Sequence, residues 1–165
     1  MNIRGVDRVI LGIEEMDEAQ RFLRDFGLTE TESGARGATF QALDGTDVVL
    51  RGAADRSLPM AIGAQTNARE IIWGVADGEE LQRLGAELSK DRQVVMGPDG
   101  VLHSTDGTGY GIAFQVTKRH AYDAKPALIN VAGRPPQRAP NQRVDFDGPH
   151  RPRRSPGSVS SSVSL

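Results

Sequence analysis

The sequence predicts an α+β fold built from two tandem β-α-β-β-β units, and three observations predict it. Arg8 to Ala53 is repeated by Glu70 to Gln115 without a gap, at an offset of 62 residues (70 − 8). Within each copy the apolar spacing switches from period two to helical spacing and back. Each copy also carries Asp-Gly-Thr ahead of its last strand, at Asp44-Gly45-Thr46 and Asp106-Gly107-Thr108. A repeat in register across a strand, a helix and a turn marks two copies of one supersecondary unit.

The elements follow in order. Val6 to Ile13 is rich in β-branched residues and reads as a strand, with Arg8, Ile10 and Gly12 on one face and Val9, Leu11 and Ile13 on the other. Asp17 is the expected helix N-cap, and Ala19, Phe22, Leu23 and Phe26 form an apolar stripe ending at Gly27 that should cover the Val9 face. Leu28 to Ser33, Ala38 to Leu43 and Asp47 to Arg51 read as three short strands, with Asp44-Gly45 favouring a tight hairpin. Copy two repeats the plan with a strand over Glu70 to Val75 and a helix over about Glu79 to Lys90. Its later strands lie near Gln93 to Met96, Val101 to Ser104 and Tyr110 to Val116. Trp73 falls on the helix-facing side of its strand and is expected in the core.

Composition bounds the partners. The chain has 165 residues, with Lys+Arg 20 against Asp+Glu 22, so no strong field draws it to nucleic acid or to a membrane surface. A small-molecule or protein partner is expected instead. The absence of cysteine excludes disulfides, thiolate nucleophiles and Cys-ligated metal. Charges through Met1 to Met16 leave no signal-peptide core, and a soluble cytoplasmic protein is expected. Seven of the nine prolines follow Lys118, and Ser155 to Leu165 is mostly serine. The expected organisation is a domain over 1–120 (units 5–53 and 68–117), a connector over 121–149 partly packed on it, and a disordered tail over 150–165.

Two successive β-α-β-β-β units with an Asp-Gly hairpin before the last strand of each resemble the vicinal oxygen chelate superfamily, which includes glyoxalase I, bleomycin-resistance proteins and extradiol ring-cleavage dioxygenases. The resemblance covers about residues 5 to 118. It implies a cup-shaped, mostly antiparallel eight-strand sheet with helices outside, opening around a divalent metal. It also implies ligands at the start of each first strand and on each fourth strand. Those positions are Arg8, Glu70, Arg51 and, at the offset of 62 (113 − 51), Ala113. Arginine cannot give up its proton to become a ligand, so no metal and no catalytic residue is expected in this chain. The run Asp106 to Val116 looks like the end of the N-terminal, metal-free domain of a two-domain extradiol dioxygenase. Fe(II) and ring cleavage of catechol-type aromatics would then belong to a C-terminal domain that this sequence lacks, and the sequence resembles a truncated or frame-shifted one.

Arg8, Arg51 and Glu70 admit two readings, an anion pocket or a plug in which Glu70 bridges one or both arginines, and the plug is favoured. A salt bridge from Arg8 to Glu70 is its sharpest form. Gln41, His103, Tyr110 and Gln115 are candidate ligand contacts, although no partner acid for His103 is visible. The glycine-rich run Gly107 to Gly111 joins two strands and reads as a hairpin, not a phosphate loop. The leading expectation is a structural domain of a dioxygenase-like protein, with a small aromatic ligand and homo-oligomerisation as its possible associations. The alternatives are a dimeric small-molecule-binding protein of the bleomycin-resistance kind, or a glyoxalase-like metalloenzyme.

Overall fold

A strand with one apolar face needs a second layer to cover it, and each copy of the repeat supplies one helix for that purpose. The computed structural model describes residues 2–61, 63 and 68–121. The first unit runs β1 (Ile3–Ile13), α1 (Met16–Asp25), β2 (Thr29–Gly34), β3 (Gly37–Gln41) and β4 (Asp47–Gly52). The second runs β5 (Ala68–Val75), α2 (Gly78–Leu88), β6 (Val95–Met96), β7 (Leu102–Thr105) and β8 (Gly111–Val116). The largest differences from the expected strand starts are at β1, which begins at Ile3 instead of Val6, and at β5 and β6, each beginning two residues away from its expected start.

The strands form one eight-stranded sheet in the order β2-β3-β4-β1-β5-β8-β7-β6. The pairs β1–β4 and β5–β8 are parallel and the rest antiparallel, so the two units meet along the antiparallel β1–β5 seam. This is the mostly antiparallel α+β sheet that the resemblance implies. Among the described residues no helix is long and apolar enough to cross a membrane. The expected connector beyond Ala121 and the tail over 150–165 lie outside the described residues.

Each helix covers its own apolar cluster. Leu23 of α1 packs with Phe40, Val48 and Leu50, and Leu81 and Leu84 of α2 pack with Val75 and Phe114, with Trp73 against them. Burying each such side chain is worth about 1.5–3 kcal/mol. The α1 stripe differs from expectation. Its buried line runs through Met16, Ala19 and Leu23, while Phe22 and Phe26, one helical position to the side, are exposed and stack on each other with ring centroids 6.0 Å apart. Asp17 is likewise not the N-cap. Glu15 holds that position without a side-chain cap, and Asp17 stands in the first turn, where its charge favours the helix dipole. In α2 the cap is regular, with Asp77 accepting from the Glu80 backbone N–H at 2.8 Å.

The repeat is not gapless in three dimensions. Arg8 pairs with Asp47, 39 residues on (47 − 8), whereas Glu70 pairs with Gly111, 41 residues on (111 − 70). The hairpins agree: the positive-φ glycine that closes the turn is Gly45 in one unit and Gly109 in the other, an offset of 64 (109 − 45). The first strands thus match at 62 and the fourth strands at 64. Asp44 and Asp106 each accept from the N–H and hydroxyl of the threonine two residues on, so the motif makes the same local bonds at two different places in its turn. The structural counterpart of Arg51 is therefore Gln115, not Ala113: Arg51 opposes Gly12 as Gln115 opposes Gly74.

Candidate functional site

Residues directly opposite in neighbouring strands project from the same side of a sheet, so the register assigns each side chain to a face. One row crosses the sheet as Gln41, Asp47, Arg8, Ile72, Ala113 and His103. The next holds Thr39, Val49, Ile10, Glu70, Gly111 and Thr105. Arg51 and Gln115 point the same way, beyond opposite ends of these rows. Apart from Tyr110, which precedes β8, every site residue named from the sequence lies on this helix-free face.

Two β-bulges add to it. Asp7 is the extra residue between the pairs Val6–Trp73 and Arg8–Ile72, and Arg69 is the extra residue between Ile10–Glu70 and Leu11–Ala68. Each reaches over a glycine of the opposite unit: a Cβ on Gly74 would lie 2.4 Å from Asp7 Oδ1, and one on Gly12 would lie 2.6 Å from Arg69 Nε. Asp7 accepts from Gln115 Nε2 and the Lys118 N–H, both at 3.1 Å, and from the Thr117 hydroxyl at 3.0 Å. Arg69 donates to the carbonyls of Pro59 and Ala53.

The Arg8–Glu70 salt bridge expected from the sequence does not form. Arg8 donates Nη2 and Nε to Asp47 Oδ2 at 2.9 and 3.3 Å, and Gln41 Nε2 holds the other Asp47 oxygen at 3.0 Å. The reason is position: Asp47 stands directly opposite Arg8, whereas across the seam Arg8 faces Ile72 and Glu70 faces Ile10, leaving the two charges only diagonal. Nor does Glu70 bridge Arg51, which donates Nε and Nη2 to Asp55 Oδ2 at 3.0 and 2.6 Å. Bonds from the Ser57 hydroxyl and N–H, with that guanidinium, hold the Asp55 carboxyl down at about 2 from an ordinary 3.8.

Glu70, 3% exposed, places Oε1 2.9 Å from Nδ1 of His103. It spans β8 to do so, because Gly111 and Ala113 leave no bulk between them. His103 thus has an acid partner that sequence spacing did not reveal, since 33 residues of chain separate the two.

Arg8, Arg36, Arg51, Ile10, Ile72 and His103 are among the residues walling a concave cavity of about 550 Å³. A second, of about 460 Å³, shares Ile10 and His103 with it and adds Glu70, Pro59 and Thr105. Gln41, Tyr110, Gln115 and Ala113 line neither. Gln115 is buried against Asp7, and Ala113 is fully buried beside Val101 and Ile72. Burial, with the charges of Asp106 and Glu70, pushes the Tyr110 hydroxyl up from its usual range. Asp47, Asp55 and Arg36 were not singled out from the sequence, and Asp7 entered only as the residue a one-position register slip would turn inward. The alternation Asp47, Val49, Arg51 was a readable signal for the first; a bulge leaves none for Asp7.

The residues present do not fit the divalent metal that the resemblance implies. Among the described residues no three His, Asp or Glu side chains converge. Glu70 and His103 offer two donors, Asp47 is bound at both oxygens, and Arg8, where the resemblance implies a first-strand ligand, carries a guanidinium that cannot coordinate.

No family model and no curated protein matches the chain. Solved structures do. An extradiol ring-cleaving dioxygenase from B. fuscum is 13% identical at a TM-score of 0.58, covering 73% of this chain and 34% of its own. The 2,3-dioxygenase LapB from Pseudomonas sp. KL28 is 16% identical at 0.58, covering 73% and 42%. Homoprotocatechuate 2,3-dioxygenase from Arthrobacter globiformis is 15% identical at 0.57, covering 73% and 38%. The chain thus spans well under half the length of the enzymes it matches. Its two β-α-β-β-β units, its sheet order and these likenesses together give it the vicinal oxygen chelate fold, in the form found in extradiol ring-cleaving dioxygenases.

Proposed function

We propose that this chain is a metal-independent module of an extradiol-dioxygenase-like protein, with Fe(II) ring cleavage of catechol-type aromatics carried by a different domain. One observation carries the reading: the charged side chains at the implied ligand positions are already committed to partners. Arg8 is locked to Asp47, Arg51 to Asp55 and Glu70 to His103. A cation entering the cup would have to break the Glu70–His103 contact and would gain only two protein donors beside a fixed guanidinium charge. The sheet instead serves as a scaffold in which the charges at these three positions are each paired.

The test is metal content by mass spectrometry after incubation with Fe(II), Ni(II), Zn(II) and Mn(II) in turn. The expected result is retention far below one equivalent per chain for each metal. One equivalent held through gel filtration would overturn the reading.

A further inference from the structure

The charge pairs of the cup are complete on one side only. A guanidinium has five N–H donors and two forks with which to grip a carboxylate. Arg8 and Arg51 each use Nε and Nη2 on a single carboxylate oxygen, and among the described residues the Nη1 of each has no partner. Both side chains wall the cavity of about 550 Å³. So does Arg36, at the β2–β3 turn, which has no ion-pair or hydrogen-bond partner among the described residues. Arg69 stands over Gly12, the ladder partner of Arg51, and its two acceptors are carbonyls, so its charge has no acid against it among the described residues. Its Nε is buried and unbonded.

The Arg51 end of the cup therefore carries two cations without acid partners, Arg36 and Arg69, beside a third that is fixed in place by Asp55. Glu32 and Asp99 also line the cavity, the first accepting from the Thr39 hydroxyl and the second from the Val101 N–H. They limit the attraction to an anion of low charge. Ile10 and Val49 make an apolar floor next to Arg51, with the buried Ile72 behind them. A volume of this size suits a small organic molecule.

We infer that this end of the cup binds a small organic monocarboxylate, its carboxylate gripped by Arg51 and Arg36 and its apolar body laid on Ile10 and Val49. Asp55 and Asp47 act as positioning residues: by occupying the Nε edge they hold each guanidinium with its other edge free. The site needs no metal and is independent of any chemistry elsewhere.

The test uses the full chain in EDTA, with benzoate as the probe and benzyl alcohol as its neutral counterpart, read by calorimetry and by methyl resonances of Ile10 and Ile72. Saturable benzoate binding is expected, with benzyl alcohol at least about tenfold weaker, the size of one lost charged hydrogen bond. Arg36→Gln and Arg51→Gln are each expected to weaken benzoate by about tenfold or more while leaving benzyl alcohol unchanged. Arg36 has no partner to lose, so its variant keeps the fold and keeps the test decisive. No saturable benzoate binding, equal affinity for the alcohol, or benzoate affinity unchanged in both variants would overturn the inference.

Discussion

The two units share a backbone plan and carry opposite inward charges, and they solve the burial of those charges in the same way. In the first unit Arg8 finds Asp47 and Arg51 finds Asp55; in the second Glu70 finds His103. Arg8–Asp47 and Glu70–His103 close inside their own units, and Arg51 closes on Asp55 just past the end of the first. The bulge residues behave differently. Asp7 reaches from the first unit to Gln115, Thr117 and Lys118 of the second, and lies 3.4 Å from Arg119 Nε; Arg69 reaches from the second unit to Ala53 and the bridge residue Pro59. Ladder positions thus neutralise each half, and bulge positions tie the halves together.

The largest effect expected from breaking this contrast is at Asp7. Asp7→Ala strips a 3% exposed carboxylate from four polar groups and is expected to cost about 3 kcal/mol in urea unfolding. Asp47→Ala also removes a buried carboxylate, but from only two partners, one of them the Arg8 guanidinium, about a quarter exposed, and is expected to cost less, about 1–2 kcal/mol. Equal costs would erase the distinction between seam and ladder.

The next effect sharpens it. Gly74→Ala drives a methyl against Asp7, a short side chain held by several partners, and is expected to cost about 2 kcal/mol. Gly12→Ala meets Arg69, a longer side chain held only through its two terminal nitrogens, and is expected to cost less, about 1 kcal/mol.

The smallest effect concerns Asp55. Its folded-state pKa of about 2 lies below the ordinary 3.8. Its contribution is therefore complete above about pH 4 and fades as the pH falls toward 2. Urea midpoints of the protein and of Asp55→Asn, measured across that window, are expected to converge at its acid end. A constant gap between them would show that the contact with Arg51 and Ser57 does not depend on the charge.

Much of this was readable from residues alone. The apolar alternation of Val9, Leu11 and Ile13 and its partner stripe in each helix gave the layers; the face of Arg8 followed from period two, and those of Glu70 and Arg51 from the family resemblance. The pairing partners did not follow. The shared Asp-Gly-Thr drew the fourth strands into a gapless alignment, yet turn closure depends on which glycine takes the positive φ, and that moved the register by two. Bulges are equally silent in sequence, because an extra residue in a ladder is a matter of backbone dihedrals. Asp7 therefore read as a strand residue like any other. The cation pairs were misassigned for a related reason: opposite charges at equivalent positions attract attention, but a diagonal across a seam loses to a neighbour directly opposite.

The seam itself has a consequence for ancestry. Antiparallel strands related by a local two-fold meet in the same way whether they belong to one chain or two, so β1 of a single unit has in principle the edge to pair with β1 of a second copy. A half-length chain of this kind would assemble as a symmetric dimer with the sheet drawn here. Such a dimer must place the same side chain at both related positions. Within one chain an arginine can stand at one position and a glutamate at its mate, as Arg8 and Glu70 do. That freedom lets the two ends of one sheet be chemically distinct.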